Sequence, residues 1–152
     1  MADITHGTWI KDGKAVDKVF SNGKQVYGRN LIKNGDIMYS WVGEYNIIIK
    51  DGVFVYVSAS FVKGMYQIEA RAIDDSIVGA DFGWQWNGTL QGESIKLSKD
   101  WQKATALFEY NIHIPMGLRV IGGLGLIELR FIKAEQGTTA TPYSIAPEDI
   151  LK

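Results

Sequence analysis

The side chains best suited to move protons near neutral pH are two histidines, His6 and His113. Neither stands in a metal-binding or triad spacing, and His113, just ahead of Pro115, reads as a loop or edge residue. The chain has no GxSxG elbow, no HExxH helix and no P-loop lysine. Gly122-Gly123-Leu124-Gly125 is glycine-rich but precedes a strand pattern. It lacks the helix N-terminus that cradles phosphate, and a tight hairpin turn accounts for it. Carboxylates for glycoside hydrolysis would have to meet in space from among 17 acids, and the adjacent Asp74-Asp75 would point apart on a strand or turn. With no cysteine there is neither a disulfide nor a thiolate metal site. No enzyme, cofactor or metal is expected.

What remains is recognition chemistry, and it concentrates in Asp81–Gly88, DFGWQWNG. Phe82, Trp84 and Trp86 alternate with Gly83, Gln85 and Asn87, which reads as a strand with one aromatic face and one small or polar face. Each ring can bury about 150–250 Å², so the aromatic face is expected to anchor a core. Asn87-Gly88 closes the strand with a strong turn signal. Two neighbouring patterns share this alternation. Tyr66, Ile68, Ala70 and Ala72 alternate with Gln67, Glu69 and Arg71, and Ala104, Ala106, Phe108 and Tyr110 with Lys103, Thr105 and Glu109. With the apolar sets inside, Glu69, Arg71, Asp81, Gln85, Asn87, Thr105 and Glu109 form a hydrogen-bonding sheet surface. Such a face suits a sugar, but composition alone favours an ordinary solvated exterior.

The elements that must position these residues read as β-structure throughout. Strand patterns at Ile47–Lys50, Val53–Ser60, Met65–Ile73, Ile77–Trp86, Trp101–Tyr110, Leu118–Ile121 and Leu126–Glu135 are separated by turn signals such as Asp51-Gly52 and Lys63-Gly64. No apolar set holds a 3.6-residue spacing over three turns, and only Pro147–Lys152 suggests a helical turn. The fold class is therefore all-β, an antiparallel β-sandwich. Residues 30–152 form this domain, opening with a short strand at Asn30–Asp36, and Met38–Asn46 reads as a loop over one end. Residues 1–29 read as a small arm: Asp12-Gly13 and Asn22-Gly23 mark two hairpin turns between Gly7–Lys11, Ala15–Phe20 and Lys24–Gly28, a three-stranded meander. Strands this short dock on the main domain or a partner chain, or form a loosely ordered arm. Net charge is −1 with scattered basic residues, which argues against nucleic acid. No apolar run approaches about 18 residues, so no membrane span is expected, nor an export signal.

Two passages carry a resemblance. Val26-Tyr27-Gly28-Arg29-Asn30-Leu31, followed by Asn34-Gly35-Asp36, and the ending IELRFIKAEQGTTATPYSIAPED (Ile127–Asp149) resemble the start and close of jelly-roll domains of the carbohydrate-binding-module type. Those domains occur in tail and baseplate proteins of phages of Gram-positive bacteria. The closing signature rests on Lys133, Glu135, Gly137, Ala140, Thr141, Tyr143, Ser144 and Pro147-Glu148-Asp149, and Trp101-Gln102-Lys103 matches the penultimate region. The resemblance runs from about Tyr27 to the C-terminus. It implies a jelly roll in a virion, adhering without catalysis to a host cell-wall polysaccharide. The arm would attach to other virion proteins or mediate self-association into a homo-oligomer. Trp41, Tyr45 or Tyr56 would stack on sugars and Arg71, Gln85 and Asn87 would bond hydroxyls. Of the three rings in Asp81–Gly88, Trp84 is expected in the core and Trp86, beside the turn, is the one left to touch a ligand. An alternative is an assembly or decoration protein without saccharide affinity. Many such jelly rolls hold calcium through a carboxylate on the last strand. Arg130 falls at that position here, so calcium is not expected, although Asp36 would be available.

Overall fold

The computed structural model describes residues 2–5, 7–35, 39–42, 47–50, 53–55, 63–86, 89–109 and 116–151. Five strands come first: β1 (Ala2–Thr5), β2 (Thr8–Lys11), β3 (Lys14–Ala15), β4 (Lys18–Ser21) and β5 (Lys24–Gly28). Nine follow: β6 (Tyr39–Val42), β7 (Ile47–Lys50), β8 (Val53–Val55), β9 (Gly64–Ala72), β10 (Asp81–Trp86), β11 (Thr89–Lys96), β12 (Gln102–Phe108), β13 (Met116–Ile121) and β14 (Leu126–Glu135). Among the described residues, helical structure is confined to 3-10 turns at Asp75–Ile77 and Pro147–Asp149. No described helix is long and apolar enough to cross a membrane. The protein is all-β.

The nine later strands pair in the order β6-β14-β9-β12-β11-β10-β13-β7-β8, and six strands make a curled antiparallel sheet. The curl turns at β11, which bonds β10 along most of its length and meets β12 at Glu93–Thr105. Gly92 sits at this corner with φ +64, its α-carbon against the Thr105 carbonyl, where a side chain has no room. The curl carries the aromatic face of β10 over β9 and β12. Trp84, fully buried, meets Tyr66 edge-on at 5.2 Å and donates its indole N–H to the Ala104 carbonyl (3.3 Å). Tyr66, Ile68, Ala70, Ala72, Ala104, Ala106 and Phe108 line the same interior, as their alternation requires.

Several local expectations are revised. The arm is not a single meander. The run Ala15–Phe20 breaks at Val16-Asp17, giving a β1-β2-β3 sheet and a separate β4-β5 hairpin. Both turn signals hold, since Asp12-Gly13 and Asn22-Gly23 have the paired positive φ of tight hairpins. Asn30–Asp36 forms no strand in its described part, residues 30–35, only a bridge at Lys33 and a turn. Part of the expected loop, Tyr39–Val42, is instead a strand on the edge of β14. Thr89–Lys96, too polar to stand out as a strand, is β11. The Gly122–Gly125 stretch is not a hairpin: β13 bonds β10 and β7, whereas β14 bonds β9 and β6. It is a connection between distant strands, with Gly123 and Gly125 packed on the Ser76–Ile77 turn.

Candidate functional site

The site is organised by one irregularity in β14. Arg130 stands opposite Glu69 and Lys133 opposite Gln67, so three steps on β14 match two on β9. The extra residue makes a β-bulge, and Phe131 adopts φ +55, a left-handed conformation that a bulky side chain rarely takes. A bulge of one residue reverses which side chains point inward. Ile127 and Leu129 face the core before it, and Ile132 and Ala134 after it. Glu128, Arg130, Lys133 and Glu135 are thereby all brought to the outer face.

Before the bulge that face is open. Arg71 donates to Glu128 (2.9 and 2.8 Å), and Arg130 donates through Nε and Nη2 to Glu69 (3.0 and 2.8 Å). Trp101 packs against both guanidiniums, 3.9 Å from Arg130 and 4.8 Å from Arg71. Arg130 also lies 4.6 Å from the Phe131 ring, which stacks on Tyr143 at 4.8 Å. The result is a row of Trp101, Arg130, Phe131 and Tyr143 held by cation–π and ring contacts. Beside it opens a cavity of about 420 Å³, lined by Gln67, Glu69, Lys103, Phe131, Thr141, Pro142 and Tyr143.

Past the bulge the same face is sealed by the C-terminal tail. Lys133 and Glu135 are 0% exposed, with their charged ends 3.9 Å apart. Lys133 donates to the Thr141 hydroxyl (3.1 Å), the Pro142 carbonyl (2.7 Å) and the Ser144 hydroxyl (2.9 Å). Glu135 accepts from the Thr141 hydroxyl (2.6 Å) and backbone N–H (3.0 Å), and Gln67 donates to the Thr141 carbonyl (2.7 Å). Burial pulls the Lys133 amine down to about 8 against the attraction of Glu135, and burial likewise raises the Glu135 carboxyl. A hydroxyl between an amine and a carboxylate has the makings of a nucleophile, but here its hydrogen-bonding capacity is fully used: it accepts from Lys133 and the Gly28 N–H and donates to Glu135, and Thr141 is 3% exposed.

The N-terminal unit closes over the same tail. The Gly28 N–H donates to the Thr141 hydroxyl, Thr8 donates to the Ile145 carbonyl, and Arg29 bridges Asp17 and Glu148. Asn30 is saturated: its amide donates to the Ile132 and Ser144 carbonyls and its oxygen accepts from Ile32 and Ala134 N–H groups. The arm is thus docked on the main sheet through the tail.

No family model, curated protein or solved structure matches the chain.

The expected site residues do not converge. Arg71 lies on the open face, half-buried and paired with Glu128. Gln85, opposite Trp84 on its strand, points away from the core on the far side of the curled sheet, and at 5% exposure it is not the open hydrogen-bonding group expected. Trp86 is half-buried against the core cluster, its indole N–H without a hydrogen-bond acceptor among the described residues. Trp41 is placed by its backbone on β6, opposite Ile127. Tyr45, Tyr56, Asn87, Asp36 and both histidines lie outside the described residues. Arg130 is engaged with Glu69. No group of three or more potential metal ligands gathers among the described residues. Trp101, Arg130, Phe131, Tyr143 and Lys103 were missed as a group. Their signal was the adjacent pair Phe131-Ile132 in an otherwise alternating strand, which breaks period two where the bulge occurs.

Proposed function

We propose that the protein is a non-catalytic saccharide-binding module, with its site on the open half of the β9–β12–β14 face. The observation that carries this reading is the cavity walled by Phe131 and Tyr143 and edged by Glu69 and Lys103. Rings cover the apolar faces of pyranoses, and planar or charged polar groups take their hydroxyls. Phe131 is held there by a left-handed backbone, and strain of this kind collects at sites that use it. The resemblance of Tyr27 to the C-terminus supports a jelly-roll β-sandwich in a phage tail or baseplate, adhering to a host cell-wall polysaccharide. A single shallow site binds weakly, and repeated copies in a virion supply avidity.

The test is retention of the protein on purified Gram-positive wall polysaccharide and on a glycan array, wild type against Phe131→Ala. Retention lost in the variant supports the site; no retention of the wild type on any saccharide overturns the function. A second reading is an assembly or decoration protein of a virion. It draws on the N-terminal unit, where Ile4, Phe20 and Val26 stay 58%, 60% and 41% exposed, apolar surface suited to a protein contact. A stable higher oligomer by light scattering, without saccharide retention, would favour it.

A further inference from the structure

The charges around the cavity do not balance, and the imbalance specifies its ligand. Glu69 at its edge is engaged by Arg130, and Glu128 farther along the face by Arg71. Lys133 and Glu135 lie sealed beneath the tail. Lys103, directly across from Glu69 on β12, is exposed and makes no ion pair or hydrogen bond among the described residues. Its ammonium offers three donors, whereas Glu69, the carboxylate that lines the cavity, already faces Arg130. Among the described residues, the cavity lining therefore carries one cation without an ion pair, Lys103, beside two rings.

Resting on the saccharide reading, we propose that the cavity takes an anionic saccharide, a sugar bearing a carboxylate or phosphate, and that Lys103 engages the negative group. Phe131 and Tyr143 contact the sugar's apolar edge while the acidic substituent turns toward β12. The ammonium makes a charge-assisted hydrogen bond that a neutral sugar cannot replace. A neutral ligand would leave the amine hydrated and gain nothing from it.

The experiment uses the full chain on an array of matched oligosaccharides: neutral hexose, the corresponding hexuronic acid and the hexose 6-phosphate. Acidic members are expected to bind about tenfold more tightly than the neutral one. Added salt should weaken this preference and Lys103→Gln should erase it, while Lys96→Gln, paired with Asp81 elsewhere, should leave it intact. The two acidic arms separate carboxylate from phosphate as the source of the charge. Equal retention of neutral and acidic members, or a preference that survives in Lys103→Gln, overturns the inference and leaves the saccharide reading standing. Retention of none overturns both.

Discussion

The two halves of β14 carry the same chemistry under different cover. Before the bulge, Glu128 and Arg130 pair with Arg71 and Glu69 across the strand, with side chains 19–36% exposed. After it, Lys133 and Glu135 on the same face are 0% exposed beneath Thr141–Ser144. Water stabilises the open charges whether or not they are paired, so those pairs can rearrange onto a ligand at little loss. The covered pair has lost that water and depends on fixed partners, so it acts as a staple for the tail and the arm. Cover separates the proposed recognition surface from a structural joint.

The sharpest way to break the comparison is to remove one member of the covered pair. Lys133→Ala leaves Glu135 buried without its cation and removes three tail contacts, and should lower unfolding free energy by about 3–5 kcal/mol in urea denaturation. A loss under about 1 kcal/mol would mean that the tail readily opens to water. The pair should also shape the pH profile. Lys133 titrates near 8 when folded and higher when unfolded, so the unfolded chain binds more protons between those values. Stability should rise as pH increases from about 8 towards 10, by on the order of 1–2 kcal/mol, read as a rising Tm. Glu135, raised by burial, acts in the opposite sense: its contribution is present at low pH and lost as pH climbs through its titration. Tyr27, also raised by burial, turns the curve down again above its ordinary value of 10.0. A flat profile between pH 8 and 10 would contradict the burial of Lys133.

Much of this fold was legible because burial and period two agree. The alternation in β9, β12 and β10 gave the inward sets as far as they are described, Trp84 among them and Tyr110 outside the described residues, and Asp12-Gly13 and Asn22-Gly23 marked real turns. β11 was illegible because it serves a corner. Its side chains are largely solvated, and Gly92 is there for backbone clearance, not packing. The site was misread for a related reason. Arg71 and Gln85 share a polar alternation, but curling the sheet turns their strands' outer faces in opposite directions, which no single-strand pattern records. The bulge was readable in Phe131-Ile132, yet its effect on Lys133 and Glu135 requires knowing the partner strand. Of the residues that carry the resemblance, Lys133, Glu135, Thr141 and Ser144 are those of the staple, so that part of the likeness concerns how the domain is closed more than what it binds.

The bulge itself can be tested by comparing two variants that both delete the ring. Phe131→Gly removes the ring and relieves the left-handed backbone, whereas Phe131→Ala removes the ring and keeps the strain. The glycine variant should be more stable than the alanine variant by about 1 kcal/mol, and both should lose saccharide retention alike. Equal stabilities would show that the bulge relaxes on its own. Unchanged retention in both would remove Phe131 from the site.

The smallest effect belongs to the open pair. In a double-mutant cycle of Arg71→Ala and Glu128→Ala, the coupling should be about 0.2–1 kcal/mol and should shrink with added salt. The reason lies in the exposure: Arg71 is 36% exposed, so its guanidinium recovers most of its hydration when Glu128 is gone, and its contact with Trp101 survives the change. A coupling of several kcal/mol, insensitive to salt, would mean that this end of the face is as closed as the end under the tail. The distinction between surface and staple would then fail at its open side, where the ligand is expected to enter.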